Sequence, residues 1–315
     1  MNVMKKRLIK VIALCMVLAI VFSIGAMAGT QTQTTPFDNS KFFTCGDYSI
    51  HYRVFEAQGQ QKGRIMFLHG FLVSTYSWEN MTAELIKAGY TCVLADLPNF
   101  GYSSRENANT TVIPREDLIV SLMESIAPLD NWFVAGHSMG GGVAMNIAIA
   151  HPEIAGLLLY CPAPNTAFPA YLKPIVTSKL MGSVYTAFFK FAAFAPKFIA
   201  RLTVGYIAVD MPFGLKYDVA KVTDPLQIEG TGAGMTYVTA NTTPTDMKAL
   251  PNLKMPVLLV EGEKDIVLQK SMVDETIAAL PQATLYMVKG GGHMSNENKA
   301  AELAAVTVQF LNNII

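Results

Sequence analysis

The sequence predicts an α/β fold in which a mostly parallel central sheet is flanked by helices and carries one helical insertion. Three observations predict it. Short apolar runs of strand length alternate with stretches of helical periodicity, which is typical of parallel sheets. A glycine-rich turn joins one of these apolar runs to a helical stretch, and the alternation stops between residues 165 and 252 before it resumes.

The composition is that of a folded chain with no overall charge bias. Of the 315 residues, 51% are hydrophobic and 15% are charged, below the roughly 25% that soluble domains carry, which excludes disorder for most of the chain. Lys and Arg total 24, and Asp and Glu also total 24. This neutral balance provides no reason to expect nucleic acid as a partner.

The N-terminus has the pattern of a secretory signal peptide over residues 1–28. Basic residues precede an uncharged apolar run at 11–28, which ends in the small-x-small sequence Ala26-Met27-Ala28. We therefore expect cleavage after Ala28 and a folded domain outside the cytoplasmic membrane. The apolar run is at the lower limit of length for spanning a bilayer, so a retained N-terminal membrane anchor is the alternative.

A polar stretch at 29–44 is predicted to be a linker, and the α/β core is predicted over 45–164 and 253–315. Between the two core segments, residues 165–252 are rich in aromatic residues, Met and Pro and have no strand pattern, so they are predicted to form a helical cap. The predicted core strands lie at 65–70, 91–97, 132–138, 156–164, 255–262 and 284–290, and the predicted core helices at 78–87, 115–126, 139–150, 269–279 and 296–311.

The most specific motif is Gly136-His137-Ser138-Met139-Gly140, a G-x-S-x-G sequence placed where a buried strand meets a helix. A serine at the tip of such a tight turn has a strained backbone, and flanking glycines let the turn close. The helix that begins beneath the serine directs its dipole and the amide of Met139 toward developing negative charge. The motif predicts Ser138 as a nucleophile, and a purely structural turn is the alternative.

A nucleophilic serine needs a base and an acid that orients the base, and in this topology both follow later strands. Asp265 and His293 each lie just after a predicted strand. Glu261 and Glu263 are rival acids, but Glu261 falls within the strand and Glu263 is typical of an exposed loop. We therefore predict that Asp265 and His293 are the partners of Ser138.

A second donor for an oxyanion is expected from the loop after the first central strand. His69, Gly70 and Phe71 occupy this position, and the amide of Phe71 is the candidate partner for the amide of Met139. The Phe71 side chain can also form an apolar wall of the pocket, and the two roles are compatible. His69 is predicted to brace this loop by hydrogen bonds rather than to take a proton.

These motifs resemble those of the α/β-hydrolase superfamily, in its cap-bearing branch of serine esterases and lipases. The resemblance implies a catalytic triad of Ser138, Asp265 and His293, with an oxyanion hole formed by Phe71 and Met139. It covers roughly residues 45–312, and the matching motifs are HGF at 69–71, DLPNFGYSS at 96–104, GHSMGG at 136–141, EGEKD at 261–265 and GGH at 291–293.

One residue departs from the pattern of the superfamily, and another argues against two of its branches. Relatives commonly have Gly where this chain has Asn99 in the turn after Asp96. Because Asn tolerates the left-handed conformation better than most residues, we expect the turn to be retained. The serine at position 138 also argues against the dehalogenase and epoxide-hydrolase branches, which resemble this chain but use Asp as the nucleophile.

Apolar side chains of the cap are expected to line the substrate pocket. The candidates are Phe168, Tyr171, Phe188 and Phe213. Phe188 also begins a helical stripe of aromatic residues, which packing against the core would explain. Basic residues interleave with this stripe, and that mixture also suits contact between the cap and a membrane surface.

No metal or cofactor is expected. The chain after residue 28 has three cysteines, Cys45, Cys92 and Cys161, and none has a companion Cys or His at metal-ligand spacing. Export would permit disulfides, but two of the three cysteines lie in apolar runs. Buried free thiols are therefore the preferred interpretation.

The motifs together predict an exported serine hydrolase that cleaves a carboxylic ester with an apolar acyl part through an acyl-enzyme. A small-molecule ester is the expected partner. Two alternatives stay open. The same triad can act on a carbon–carbon, thioester or amide bond, and the fold can serve as a non-catalytic binding module. Nothing in the sequence indicates the oligomeric state.

We expect the mature chain to begin at Gly29, because the small residues Ala26 and Ala28 form the recognition site of the signal peptidase. N-terminal sequencing of the protein recovered from outside the cytoplasmic membrane measures this. A chain that begins at Met1 and sediments with membranes would contradict the prediction and support the retained anchor.

Overall fold

An eight-stranded sheet forms the centre of the molecule, and the computed structural model describes residues 36–166, 169–194 and 196–314. The strands are β1 (Ser40–Cys45), β2 (Tyr48–Phe55), β3 (Gly63–Leu68), β4 (Tyr90–Ala95), β5 (Trp132–His137), β6 (Gly156–Tyr160), β7 (Val257–Gly262) and β8 (Thr284–Val288). Their order is β1-β2-β4-β3-β5-β6-β7-β8, antiparallel from β1 to β4 and parallel from β4 to β8.

Helices connect the strands and form the insertion. They are α1 (Glu79–Lys87), α2 (Arg115–Ile126), α3 (Met139–Ala150), α4 (Lys173–Val176), α5 (Lys179–Phe194), α6 (Lys197–Ala208), α7 (Met211–Lys216), α8 (Ala220–Leu226), α9 (Thr231–Ala240), α10 (Lys270–Ala279), α11 (Ser295–Asn298) and α12 (Ala300–Asn312). The segment from α4 to α9 lies between β6 and β7 and is called the cap below. The fold class predicted from the sequence is confirmed.

The helices cover both faces of the sheet because the central strands are apolar on both sides. α2 and α3 pack on one face, and α1 and α12 pack on the other. Successive residues of β6 show the alternation: Leu157 and Leu159 belong to the core on the first face, and Leu158 and Tyr160 to the core on the second. This burial on both sides explains why the strands read as continuous apolar runs in the sequence.

The parallel strands place their carboxyl ends at one edge of the sheet, where ligands bind in open α/β sheets. The segments after β3, β5, β7 and β8 carry Phe71, Ser138, Asp265 and His293, respectively. These residues are far apart in sequence, and the sheet topology brings the segments that carry them to the same edge.

The predicted core elements are present, with small shifts at their ends. α2 has the predicted limits, whereas the helix predicted at 296–311 is divided at Lys299 into α11 and α12. The linker predicted at 29–44 is too long, because β1 begins at Ser40 and pairs with β2. As a partly exposed edge strand, β1 lacks the continuous apolar run that marks the central strands. The predicted signal peptide lies outside the described residues.

The cap is helical, as predicted, but the aromatic stripe that begins at Phe188 does not follow one helix. The chain bends by 103° between Lys179–Ala192 and Lys197–Ala208, and Pro196 immediately precedes α6. Proline cannot continue the hydrogen-bond ladder of a preceding helix, which accounts for the break. Within the described residues no single helix is long and apolar enough to cross a membrane. Only when the two bent segments are counted together do their length and composition reach those of a membrane span.

Hydrogen bonds from two arginine side chains connect the sheet domain to the cap. Arg105, in the loop after β4, donates hydrogen bonds to the carbonyl of Pro225 and to the hydroxyl of Thr231. Arg115, at the start of α2, donates to the carbonyl of Val238. Because buried guanidinium donors require partners, these contacts fix α9 against the core.

Candidate active site

Ser138 lies at the turn between β5 and α3 with φ 50° and ψ −120°, in the region of positive φ that few residues other than glycine adopt. The Ser138 carbonyl accepts hydrogen bonds from the amides of Gly141 and Ala163. Gly136 and Gly140 are required on either side, since a methyl group at either position would lie 2.3 Å from a backbone oxygen. The turn holds Ser138, which is 9% exposed, at the carboxyl edge of the sheet.

His293 and Asp265 form a hydrogen-bonded pair at this edge. Nδ1 of His293 donates to Oδ2 of Asp265 at 2.6 Å, and the amides of Val267 and Leu268 donate to Oδ1 at 2.7 and 3.0 Å. These contacts orient the imidazole and leave its Nε2 able to accept a proton. No hydrogen bond between Ser138 and His293 occurs among the described residues, and such bonds commonly tighten only when substrate is bound.

The Asp265 carboxyl is ionised at neutral pH. Burial alone would raise its pKa, but the hydrogen bond from His293, the charge of that ring and the two backbone amides outweigh burial and lower the pKa. An ionised carboxylate in this position stabilises positive charge on His293. The rival acid Glu263 is exposed, and its Oε2 accepts a hydrogen bond from the amide of Gly290 at 2.7 Å.

His69 orients the peptide that carries the amide of Phe71. Its Nδ1 donates to the carbonyl of Gly70 at 2.7 Å, and its Nε2 accepts from the amide of Leu97 at 3.0 Å, so its predicted bracing role is confirmed. Because the peptide is planar and trans, holding the Gly70 carbonyl toward His69 points the Phe71 N–H in the opposite direction. A methyl group at Gly70 would lie 3.3 Å from Cβ of Ser138, which places this peptide beside the turn.

The amides of Phe71 and Met139 are both available to an anion. Neither donates a hydrogen bond to another group within the described part of the chain. Met139 is the first residue of α3, where helix N–H groups are unpaired and the dipole favours negative charge. The Phe71 ring is 49% exposed and packs edge-to-face on Phe100 at 5.6 Å, so it forms part of the surface around the site.

His137 connects the turn at Ser138 to the loop that carries His293. Its Nε2 donates to the His293 carbonyl at 2.8 Å, and the two rings lie 4.8 Å apart. Burial, and then the proximity of His293, lower the pKa of His137 to about 3, so the ring is neutral. The sequence carries no signal for this contact, because residue 293 reaches His137 only in the folded chain.

Cys161 follows β6 and lies beside the Asp265–His293 pair. Its sulfur, a carboxylate oxygen of Asp265 and a ring nitrogen of His293 lie within 4.8 Å of one another. Burial, and then the charges of Glu261 and Asp265, raise the pKa of the Cys161 thiol well above its usual value. Cys161 is therefore a neutral thiol beside the acid-base pair at neutral pH.

Glu261 is a second buried carboxyl at the same edge. It is fully buried near the end of β7, and neither of its oxygens has a hydrogen-bond partner within the described residues. Burial, and then the charge of Asp265, raise the pKa of Glu261 to about 8. Glu261 is therefore protonated at neutral pH, and Asp265 is the charged member of the two.

The turn after β4 is retained with Asn99 in place of glycine, as expected. Asn99 has φ 74°, and its side-chain oxygen accepts a hydrogen bond from the amide of Glu106 at 2.8 Å. The fully buried Asp96 accepts hydrogen bonds from the ring of His51 and the amide of Tyr102, both at 2.8 Å. These contacts hold the loop that carries Phe100, on which the Phe71 ring packs.

The described members of the predicted pocket set are spread over the cap rather than gathered in one wall. Phe168 lies outside the described residues, and Tyr171 is 78% exposed. Phe188 packs against the main core. Phe213 packs in a small apolar cluster that includes Met294, the residue after His293.

A groove of about 580 Å³ opens beside Asp265, between the cap and the loop after β7. Its lining is mostly apolar and consists of Gly205, Tyr206, Val209, Asp210, Met211, Lys264, Asp265 and Ile266. The described members of the predicted pocket set do not line this groove. Composition marks the cap as apolar, but it does not indicate which helical turn of the cap faces Asp265.

Comparison with known proteins identifies the family of the chain. The family described as alpha/beta hydrolase fold matches residues 63–300. The chain therefore belongs to the α/β-hydrolase superfamily and is a hydrolase of that family. It is similar to the uncharacterized hydrolase YugF of Bacillus subtilis, at 23% identity over 278 residues, which cover 85% of this chain and 96% of YugF.

Solved structures share the fold. The epoxide hydrolase CorEH aligns with a TM-score of 0.68 at 18% identity, covering 88% of this chain and 99% of that protein. An esterase from Thermogutta terrifontis aligns with a TM-score of 0.65 at 18% identity, covering 84% of this chain and 94% of the esterase. At this level of identity the likeness concerns the fold alone.

Glu261→Gln is expected to remove a pH-dependent loss of stability. Because the pKa of Glu261 is raised in the folded state, its stabilising contribution is present below its unfolded pKa and is lost as the pH rises toward about 8. Relative to the wild type, the variant should gain on the order of 3 kcal/mol in the free energy of unfolding between about pH 5 and pH 8.5. Urea denaturation at the two pH values measures this gain.

Glu263→Gln is the matched control, because Glu263 lies two residues away in the exposed loop. Its difference in stability from the wild type should be the same at both pH values. If Glu261→Gln also keeps a constant difference, the raised pKa of Glu261 is disproved.

Proposed function

We propose that this protein is a serine hydrolase that cleaves a carboxylic ester with an apolar acyl part. One observation carries the proposal: a serine with positive φ at the tip of β5 shares the carboxyl edge of the sheet with a buried, hydrogen-bonded Asp265–His293 pair. A structural turn alone would not require this pair. The esterase among the similar structures supports an ester substrate by analogy only.

In the proposed reaction, Oγ of Ser138 attacks the acyl carbon while Nε2 of His293 accepts its proton. Asp265 holds the imidazole and stabilises the positive charge that develops on it. The amides of Phe71 and Met139 donate hydrogen bonds to the oxyanion. His293 then returns the proton to the leaving alkoxide, and water hydrolyses the acyl-enzyme through the same groups.

We assign the apolar part of such a substrate to the groove beside Asp265, whose lining reaches Asp265 but includes neither Ser138 nor His293. Tyr206, Val209, Met211 and Ile266 line it, and burying an alkyl chain among apolar side chains gains about 0.8 kcal/mol per methylene. An unpaired charge on the substrate would lose far more on entering such a site. The proposed place of action, outside the cytoplasmic membrane, rests on the signal peptide predicted from the sequence.

A fluorophosphonate probe is expected to label the purified protein once, at Ser138, because the probe reacts with a serine that is activated by a neighbouring base. Ser138→Ala should abolish both the labelling and ester hydrolysis. Mass spectrometry of the labelled peptide measures the site. Labelling that persists in the alanine variant would remove Ser138 from the mechanism.

Asp265→Asn is expected to lower kcat by a factor on the order of 10⁴, as in the best-studied serine triad, because an amide cannot stabilise the imidazolium. Steady-state hydrolysis of a p-nitrophenyl ester measures the effect. Glu263→Gln is the control and should stay near the wild type, since this carboxylate contacts Gly290 rather than His293. The reverse ranking would identify a different acid.

For p-nitrophenyl esters, kcat/KM is expected to rise from acetate to medium-length acyl chains by up to about fourfold per added methylene, as each methylene is buried in the groove. A charged hemisuccinate ester of similar size should be hydrolysed more slowly, because desolvation of its carboxylate opposes binding. A flat acyl profile, or a preference for the charged ester, would contradict the apolar substrate.

A further inference from the structure

An exposed apolar stripe runs along one side of α6. Phe198, Leu202 and Tyr206 follow one another at spacings of four residues, which places them on one face of α6, and Val209 directly follows the end of that helix. They are 58%, 36%, 67% and 39% exposed. Contiguous large apolar side chains on the surface of a folded domain mark an interaction site.

The stripe continues into the groove beside the candidate triad. Tyr206 and Val209 line that groove together with Met211 and Ile266, which are also exposed. At the end of α6, the carbonyl of Ile207 accepts a hydrogen bond from the amide of His293 at 3.2 Å. We name the combined set the cap surface: Phe198, Leu202, Tyr206, Val209, Met211 and Ile266.

The segment that carries five of the six cap-surface residues has an excess of basic side chains. Residues 165–217 contain six Lys or Arg and one acidic residue, Asp210, in a chain whose totals are equal. The Asp210 carboxylate is already engaged, since it accepts hydrogen bonds from the amide of Phe213 and the side chain of Asn298. These neutral donors leave the charge of Asp210 in place, but one carboxylate cannot neutralise the six basic residues of the segment.

Four of the five exposed lysines of the segment lie near exposed apolar side chains in the sequence. Lys173, Lys179, Lys197 and Lys216 are each within two residues of Ile175, Leu180, Phe198 and Leu215, respectively. In the described part of the chain, no ion pair involves these four lysines. Their ammonium groups are thus available to anions outside the protein.

This combination matches the chemistry of a bilayer surface. Apolar side chains enter the boundary of the acyl chains, while flexible lysine side chains extend to the phosphates of the headgroups. Anionic lipids strengthen such binding through their negative surface potential. The 103° bend between the cap helices argues against a straight span and is compatible with helices that lie on the surface. We propose that the cap surface docks on a membrane that contains anionic lipid.

The docked orientation would bring the open side of the groove, and with it the Asp265–His293 edge, against lipid. Docking itself needs only the apolar and basic side chains, so it does not depend on the proposed reaction. A failure of ester hydrolysis would leave the docking surface intact, and a failure of docking would leave hydrolysis of soluble esters intact.

A tryptophan at position 206 tests the proposal in the full chain. The native Trp78 and Trp132 are fully buried, so Tyr206→Trp supplies the exposed fluorophore. With vesicles of phosphatidylcholine and phosphatidylglycerol, the new fluorophore should shift to the blue and be quenched by brominated acyl chains. Added salt or omission of phosphatidylglycerol should weaken the effect, because both reduce the attraction to lysine.

Leu285→Trp is the matched control, because Leu285 is 44% exposed and lies on the edge strand β8, outside the cap. Its fluorescence should not respond to brominated lipid. Because each readout reports one position, a retained N-terminal anchor would not imitate docking by the cap. Equal quenching at the two positions, or no quenching at position 206, would overturn the proposal.

A loss-of-function pair completes the test. Phe198→Ser combined with Leu202→Ser, in the Tyr206→Trp background, should weaken vesicle affinity about tenfold or more, since both apolar side chains leave the contact. Neither Phe198 nor Leu202 lines the groove, so hydrolysis of a soluble ester should equal that of the Tyr206→Trp parent and reports correct folding. A blue shift that depends on protein concentration without vesicles would identify a second copy as the occupant and refute the membrane.

Discussion

The turn at Ser138 is the constraint on which the rest of the site depends. The backbone is so tightly packed there that a side chain on Gly136 would meet the Gly140 carbonyl, and a side chain on Gly140 would meet the Leu68 carbonyl at the end of β3. Strain of this kind persists only where the surroundings determine it fully. The Ser138 amide donates to the carbonyl of Tyr160 in β6, and its carbonyl accepts from the amide of Ala163 just beyond β6. The neighbouring strand therefore fixes the backbone of the candidate nucleophile.

Two neutral histidines join the other parts of the site to this turn. His69 holds the peptide before the Phe71 amide, and His137 holds the backbone of His293. Burial lowers the pKa of both rings, so they act as fixed hydrogen-bonding groups rather than as bases. Charge at this edge is confined to the Asp265–His293 pair, because the Glu261 carboxyl and the Cys161 thiol are protonated at neutral pH. This division leaves one histidine suited to proton transfer.

The sequence predicted the features that depend on local pattern and chain order. The strand-turn-helix motif located the turn, and positions after strands selected Asp265 over its rivals. The features that escaped prediction depend on how distant segments pack: Cys161 beside Asp265, the buried Glu261 and the groove at Tyr206. Composition also could not show that Tyr171 is exposed, or which turns of the cap helices face the groove. Burial of Cys161 as a free thiol was predictable because it ends an apolar run.

The central claim is that the turn, the His69-held loop and the Asp265–His293 pair converge on one reacting centre at Ser138. A crystal structure of the protein inactivated by a fluorophosphonate tests it most directly. The account predicts phosphorus bonded to Oγ of Ser138 and a phosphoryl oxygen about 2.7–3.1 Å from the amide nitrogens of both Phe71 and Met139. A phosphoryl oxygen that contacts neither amide, or an adduct on another residue, would contradict it.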